Sequence, residues 1–194
     1  FMSVFICRGI GEVANNPDFN SKEVMVIIKE SSFAKARETI TNPQKQERSI
    51  DTPNGKKVIS VTTDSSVPAT WLKRNSHQIT PPMVRRGEEV ILWQLGTTDT
   101  YFWEDTGTRD LKRLETVIYA WSADANNAIS SDLSNCYYFE ISSHSGTVTF
   151  STSMANNEKA EYTIQINGAD GNFLLTDQFK NFFLLNSIER IFTF

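Results

Sequence analysis

Two histidines are the first residues to weigh for chemistry, and both sit in polar loops. His77 lies in Asn75-Ser76-His77-Gln78 and His144 in Ser142-Ser143-His144-Ser145-Gly146. Neither has a partner at metal-ligand spacing, and there is no Gly-x-Ser-x-Gly elbow and no Cys-His signature. Carboxylates gather at Asp99, Glu104, Asp105 and Asp110. A glycosidase could use such a pair, through Asp99 or Asp110, but carboxylates at loop tips are more commonly just solvated. Gly9-Ile10-Gly11 lacks the third glycine and the strand–helix context of a dinucleotide site, and no Gly-Lys-Ser/Thr occurs. Asn167-Gly168-Ala169-Asp170-Gly171 resembles a calcium loop only superficially: the oxygen ligands at alternate positions and the terminal Glu are missing. A hairpin turn with Gly168 and Gly171 at positive φ explains it better. No catalytic, cofactor-binding or metal-ligating residue is therefore expected, and no cofactor.

The tryptophans are the remaining chemical candidates. Trp71, Trp93, Trp103 and Trp121 could stack on nucleotides or sugars. Apolar strand flanks place Trp93 and Trp121 in a core, whereas Trp71 and Trp103 are expected to be partly exposed, as suits a subunit contact. Basic residues pair at Lys73-Arg74 and Arg85-Arg86, and recur at Arg109, Lys112 and Arg113 with acids interleaved, the pattern of a solvated or salt-bridged face.

Composition sets the class of molecule that carries these residues. The chain has 194 residues, 19 Lys+Arg against 23 Asp+Glu and a net charge of −4. That length makes one full domain or two small ones. An acidic balance argues against nucleic acid as the main partner. No apolar run is long enough for a membrane helix, and the opening residues show no secretory pattern. Cys7 and Cys136 make neither a disulfide framework nor a metal quartet, and are expected as buried reduced thiols. Thirteen Phe with modest Gly and Pro favour extended structure.

The elements that must position these side chains read as strands. Glu23–Glu30, Lys57–Thr63, Glu88–Leu95 and Tyr101–Glu104 are β-branched or aromatic runs bounded by turn residues, the last two as a hairpin. Phe33–Ile40 could be a short helix ended by Pro43, and Glu38–Pro53 reads as a long polar loop. Arg109–Ala125 reads as a turn of helix and then a strand over Thr116–Trp121. From Cys136 onward short strands recur roughly every ten residues: Cys136–Ser142, Thr147–Ser153, Ala160–Ile166, Asn172–Thr176, Asn181–Leu185 and Ile188–Phe194. Seven of the 13 Phe lie from residue 150 onward, in strands too short to make a core alone. Phe173, Phe179, Phe182, Phe183, Phe192 and Phe194, with Trp71 and Trp103, are the expected subunit-interface residues. The run Ile191-Phe192-Thr193-Phe194 suggests strands that continue further or pack on a partner.

The order of these segments resembles one family. Gly9-Ile10-Gly11-Glu12-Val13 leads to Asn16-Pro17-Asp18-Phe19 and Glu23-Val24-Met25-Val26. Pro68-Ala69-Thr70-Trp71 follows, then Pro81-Pro82-Met83-Val84-Arg85-Arg86-Gly87-Glu88-Glu89-Val90, and last Thr98-Asp99-Thr100 before Tyr101-Phe102-Trp103. This pattern looks like the OB-fold domain of bacteriophage contractile-tail central spike and baseplate hub proteins. The tail, through Tyr162–Asn167, Asp170–Asp177 and Asn181–Leu185, resembles the intertwined β-structure that follows that barrel. The resemblance implies an all-β chain. An OB-fold, a five-stranded Greek-key barrel, would occupy 1–125 with a long loop at 33–55. A C-terminal β-meander, intertwined as a trimer, would occupy 126–194. It further implies a structural virion protein of a phage tail, made in the host cytoplasm, that joins the tail to the host-puncturing tip. Such a protein would be a homotrimer, would meet other tail or baseplate proteins and the host cell envelope, and would not be an enzyme. No lysozyme-like domain fits in this length. The competing readings are an OB-type module for single-stranded nucleic acid or glycan, using Trp71, Trp103 and the basic loops, and a glycan hydrolase.

Overall fold

The computed structural model describes residues 4–28, 44–52, 55–63, 66–107, 112–124 and 133–194, of which 44–52 and 55–63 are described by their backbone. Among these residues the chain is all-β, with one short 3₁₀ turn at Leu133–Asn135 and no α-helix. It divides into two compact units, Phe1–Leu72 with Val84–Asp110, and Lys73–Met83 with Leu111–Phe194.

The first unit is a closed barrel of β1 (Phe5–Val13), β2 (Glu23–Ile28), β5 (Ser66–Trp71), β7 (Tyr101–Asp105) and β6 (Glu89–Leu95), in that order around the ring. All neighbours are antiparallel except β5 and β7, which pair in parallel from Ala69 opposite Tyr101 to Trp71 opposite Trp103. The expected hairpin of β6 and β7 is present, with Val90 opposite Asp105. A barrel this small has room for few side chains, and the inward positions are correspondingly compact. Val13, Val24, Val26, Val67, Ala69, Val90 and Leu92 are buried there together with Val84 and a single large ring, Trp103. The Trp103 indole N–H donates to the Lys22 carbonyl at 3.0 Å, so its one polar atom is satisfied.

The glycine pair near the start of the chain has a structural role in this barrel. The β1–β6 register shifts between Cys7 and Gly9, a bulge that leaves Arg8 outside the pairing, and Gly9 takes φ of 88°. Two residues later, a Cβ on Gly11 would collide with the Val26 side chain. The strand closes tightly on β2 at that point because Gly11 has no side chain.

Between β2 and β5, β3 (Gln44–Thr52) and β4 (Gly55–Thr63) form a two-stranded antiparallel hairpin that closes at Thr52 opposite Gly55. The expected long loop over 33–55 is therefore corrected from Gln44 onward. A hairpin needs backbone pairing and a turn signal, not an apolar face, so the polar sequence concealed the strand. The helix expected at Phe33–Ile40 lies outside the described residues.

The second unit contains a seven-stranded antiparallel sheet in simple sequence order. Its strands are β8 (Thr116–Ser122), β9 (Cys136–Ser142), β10 (Thr147–Ser151), β11 (Tyr162–Asn167), β12 (Asn172–Asp177), β13 (Phe182–Asn186) and β14 (Ile191–Thr193). The expected meander is present and begins one strand early. Thr116–Ser122, expected within a barrel domain reaching residue 125, pairs along its whole length with β9. The division between the two units accordingly falls near 110, and Lys73–Met83 returns to the second one. There it lies on the outer edge of β8, where Ile79 N–H donates to the Ile118 carbonyl at 2.9 Å and Ala120 N–H to the His77 carbonyl at 2.9 Å. The helical turn expected before β8 is not formed at residues 112–115.

Three turns at one end of this sheet repeat one device. Ser142 Oγ accepts from Ser145 N–H at 3.2 Å, Asn167 Oδ1 from Asp170 N–H at 3.0 Å, and Asn186 Oδ1 from Glu189 N–H at 2.8 Å. Each turn then closes through a left-handed residue: Gly146, Gly171 or Arg190. Gly168, expected in the same conformation, is not left-handed. Adjacent turns are tied together, Gly168 N–H to the Gly146 carbonyl and Ser187 N–H to the Gly171 carbonyl, each at 2.8 Å.

Candidate interaction face

Side chains alternate across a strand, and residues opposite one another in register share a face. In β11, Tyr162, Ile164 and Ile166 alternate with Thr163, Gln165 and Asn167, so one strand already separates an apolar face from a polar one. Register carries that separation across the sheet. One row runs through Tyr119, Phe139, Phe150, Ile164, Leu175 and Phe183. The next row on the same face runs through Val117, Ile141 and Val148 into Ile166, Phe173, Leu185 and Phe192. Neither row contains a charged residue.

Ring contacts lie within this face. Phe139 stacks on Phe150 with centroids 4.5 Å apart, and Phe183 meets Phe173 and Phe192 edge-on at 6.2 and 4.6 Å. Phe192 in turn meets Phe194 at 5.8 Å. The opposite face is polar across β10 and β11 and mixed across β8 and β9, where Ile118, Ala120, Cys136 and Tyr138 share it with Thr116, Glu140 and Ser142. It carries Thr116 bonded to Ser142 at 2.7 Å, Ser151 bonded to Thr163 at 3.1 Å, and Gln165 with Thr149 at 3.5 Å. Toward the other edge Leu174, Leu184 and Phe182 join that face.

Burial across the two faces is inverted relative to an ordinary amphipathic sheet. Ser142 and Thr149 on the polar face are 4% and 5% exposed, while Phe150, Ile166 and Phe192 on the apolar face are 48%, 45% and 54% exposed. Among the described residues the buried apolar cluster consists of barrel-unit residues, and Cys136 is the one buried hydrophobic residue of the sheet unit.

The expected interface residues fall in different places. Phe173, Phe183, Phe192 and Phe194 belong to the apolar face. Phe182 lies on the opposite face, and Phe179 projects from the turn between β12 and β13. Trp71 is half-buried at the end of β5 and packs against the barrel core. Trp103 is fully buried, which corrects its expected exposure: the small barrel needs one large ring to fill it, and β7 points this one inward. Trp121, expected in a core, is 45% exposed at the end of β8 and stacks on His77 with centroids 5.2 Å apart. Sequence reading did not find Phe139, Phe150, Ile164 and Ile166 for this face. The alternation in β10 and β11 was the available signal, but it cannot say which side is left uncovered.

The other chemical candidates resolve into structure. Glu104 Oε2 accepts from the Trp93 indole at 3.1 Å, and Asp105 Oδ1 from Gly107 N–H at 3.2 Å. Burial, with the Asp99 carboxylate adding to it, pushes the Tyr101 phenol above its usual range. Asp110 lies outside the described residues, as does Arg109. The Asn167 amide N–H donates to Asp170 Oδ2 at 2.7 Å and Asn167 Oδ1 accepts from Asp170 N–H at 3.0 Å, so these side-chain oxygens are engaged within the turn. Among the described residues no cluster of His, Cys, Asp or Glu could hold a metal. Cys136 is buried as expected, whereas Cys7 is exposed, and neither is in a disulfide. A recess of about 270 Å³ beside the β1–β2 loop is lined by Asn15, Asn16, Asp18, Ser21 and Glu23 with Pro17, Val24, Met25 and Pro68, and holds no aromatic platform for a base or sugar.

At one rim of the apolar face, the Tyr137 hydroxyl donates to Glu158 Oε1 at 2.9 Å. The Glu158 carboxyl is held below its usual range by backbone N–H groups, its own and that of Asn156, with Tyr137 adding to them. That bond pushes the Tyr137 phenol upward. No protein-family model matches the sequence, and a search of curated proteins finds no match.

Proposed function

We propose that this chain is a structural virion protein of a phage tail, a central spike or baseplate hub component that acts as a homotrimer. Its work is mechanical: the barrel joins the tail, and the sheet region assembles with other copies toward the host-puncturing tip. One observation carries this reading: a sheet unit in which Phe150, Ile166, Leu185 and Phe192 of one face stay exposed while the buried cluster belongs to the barrel unit. A sheet of that composition needs partners to exclude water from it.

Barrel topology supports the same reading. Counted within the barrel, β1, β2, β5, β6 and β7 are strands one to five, and the ring runs 1-2-3-5-4 with the third and fifth parallel. That is the order of the OB barrel, whose Greek-key path the family shares. Light scattering on the whole chain at micromolar concentration tests the proposal. A trimer is expected, and a monomer overturns it.

A further inference from the structure

The apolar face gives a sharper statement, which rests on the reading of the chain as a self-assembling structural protein. We infer that the face built by Phe139, Phe150, Ile164, Ile166, Phe173 and Phe192 is the surface on which copies of this chain pack against one another, and that the opposite Ser/Thr/Gln face takes no part in that contact.

Three observations select this face and this occupant. First, the polar side chains of this opposite face bond one another across strands, as Thr116 does with Ser142 and Ser151 with Thr163, while Phe150, Ile166 and Phe192 on the apolar face stay about half exposed. Second, the two apolar rows carry no charge, while in the next row on this face Asp177 stands opposite Tyr162 and Glu158 accepts from Tyr137. Uncharged rows offer no electrostatic selection for a charged foreign surface, and they are complementary to a copy of themselves. Third, the area is sufficient. Trp121, Tyr137, Phe150, Tyr162, Phe192 and Phe194 are each between 36% and 90% exposed. With Ile141, Ile164, Ile166 and Leu185 they offer roughly 1,000 Å² on this face, taking about 150–250 Å² for a whole aromatic side chain. A stable interface takes about 800 Å² from each partner. The same geometry excludes Phe182, which faces the other way, and Phe179, which sits in a turn.

Adjacent residues of β11 make the test, because Ile166 and Gln165 sit side by side in one strand and point to opposite faces. Sedimentation of the full chain is compared for wild type, Ile166→Lys and Gln165→Lys, with Ile166→Val as the conservative control. The Ile166→Lys variant is expected to raise the dissociation constant at least about 100-fold, as for a charge forced into a desolvated interface. Gln165→Lys and Ile166→Val should assemble as wild type does. An Ile166→Lys chain that still assembles, or a Gln165→Lys chain that does not, overturns the face.

A second measurement does not depend on the lysine variant folding. In a Cys7→Ser background, Ile166→Cys should react with maleimide in dilute solution and be protected at assembling concentration, while Gln165→Cys reacts equally in both. Equal labelling of Cys introduced at 166 in a chain that assembles overturns the face alone. A wild-type dimer that Ile166→Lys dissociates supports the face and overturns three-fold assembly. A wild-type monomer overturns both.

Discussion

Asp177 shows how much of the sheet depends on single side chains. Its Oδ1 accepts from Phe179 N–H and Asn181 N–H at 2.9 Å each, and its Oδ2 from the Asn181 amide at 2.7 Å. The Asn181 side chain first, and then these backbone donors, hold its carboxyl below the usual range. A carboxyl depressed in the folded state stabilises the turn above its unfolded pKa, and that contribution is lost as pH falls through the folded value. Amide exchange at Phe179 and Asn181 should therefore accelerate, relative to the intrinsic rate, as the pH is taken below the usual carboxylate range. In Asp177→Ala protection should be low at every pH. Gly171 is the second such residue. Its φ is +66°, and an added Cβ would lie 2.7 Å from Ile188 Cγ1. Gly171→Ala meets a left-handed backbone and a collision together, and should cost about 1–3 kcal/mol in urea denaturation. Gly96→Ala, with φ of +57° and open space around the Cβ, should cost less.

At the scale of elements, the barrel and the sheet are stabilised differently. The barrel strands present Val, Ala and Leu inward and close around one indole. Trp103→Ala should cost about 3–5 kcal/mol, measured at fixed protein concentration, because so small a barrel has little to collapse into the space. Trp103→Phe should cost less, keeping a ring and losing only the indole bond to the Lys22 carbonyl, which still accepts from Trp71 N–H at 2.7 Å. The sheet has no comparable plug. Its strands are held by backbone ladders, by ring contacts along one face and by side-chain pairs along the other, and its turns lock to one another through Gly146 and Gly171. Its covered edge is β8, where residues 77–79 supply backbone bonds that protect that strand from foreign pairing.

For the whole molecule, the governing fact is a division of labour in burial. The barrel unit holds the buried apolar cluster, and the sheet unit leaves Phe150, Ile164, Ile166 and Phe192 exposed and Phe139, Phe173 and Phe183 half-buried. Assembly through such a face is driven by apolar area, and the net charge of −4 enters only as weak repulsion. The proposed oligomer should therefore persist in about 1 M NaCl, where exposed charges are screened beyond about 3 Å. Sulfate at the same ionic strength should tighten it. Dissociation by NaCl, followed by sedimentation, would show that charge pairs hold the copies together.

Much of this molecule was legible before folding, because its signals are local. The β-branched and aromatic runs gave strands, and polar clusters such as Asn167–Gly171 gave turns, so the all-β class and the meander followed from periods of two and from turn chemistry. What tertiary structure alone decided is non-local. Thr116–Ser122 joined the sheet rather than the barrel because pairing partners are chosen across the fold, not along the chain. Trp103 turned inward and Trp121 outward because their surroundings, not their neighbours in sequence, set their exposure. Gln44–Thr52 formed a strand without an apolar pattern. Alternation in Tyr162–Asn167 announced two faces, but only the register of seven strands joined the apolar one into a continuous surface and left it exposed to solvent.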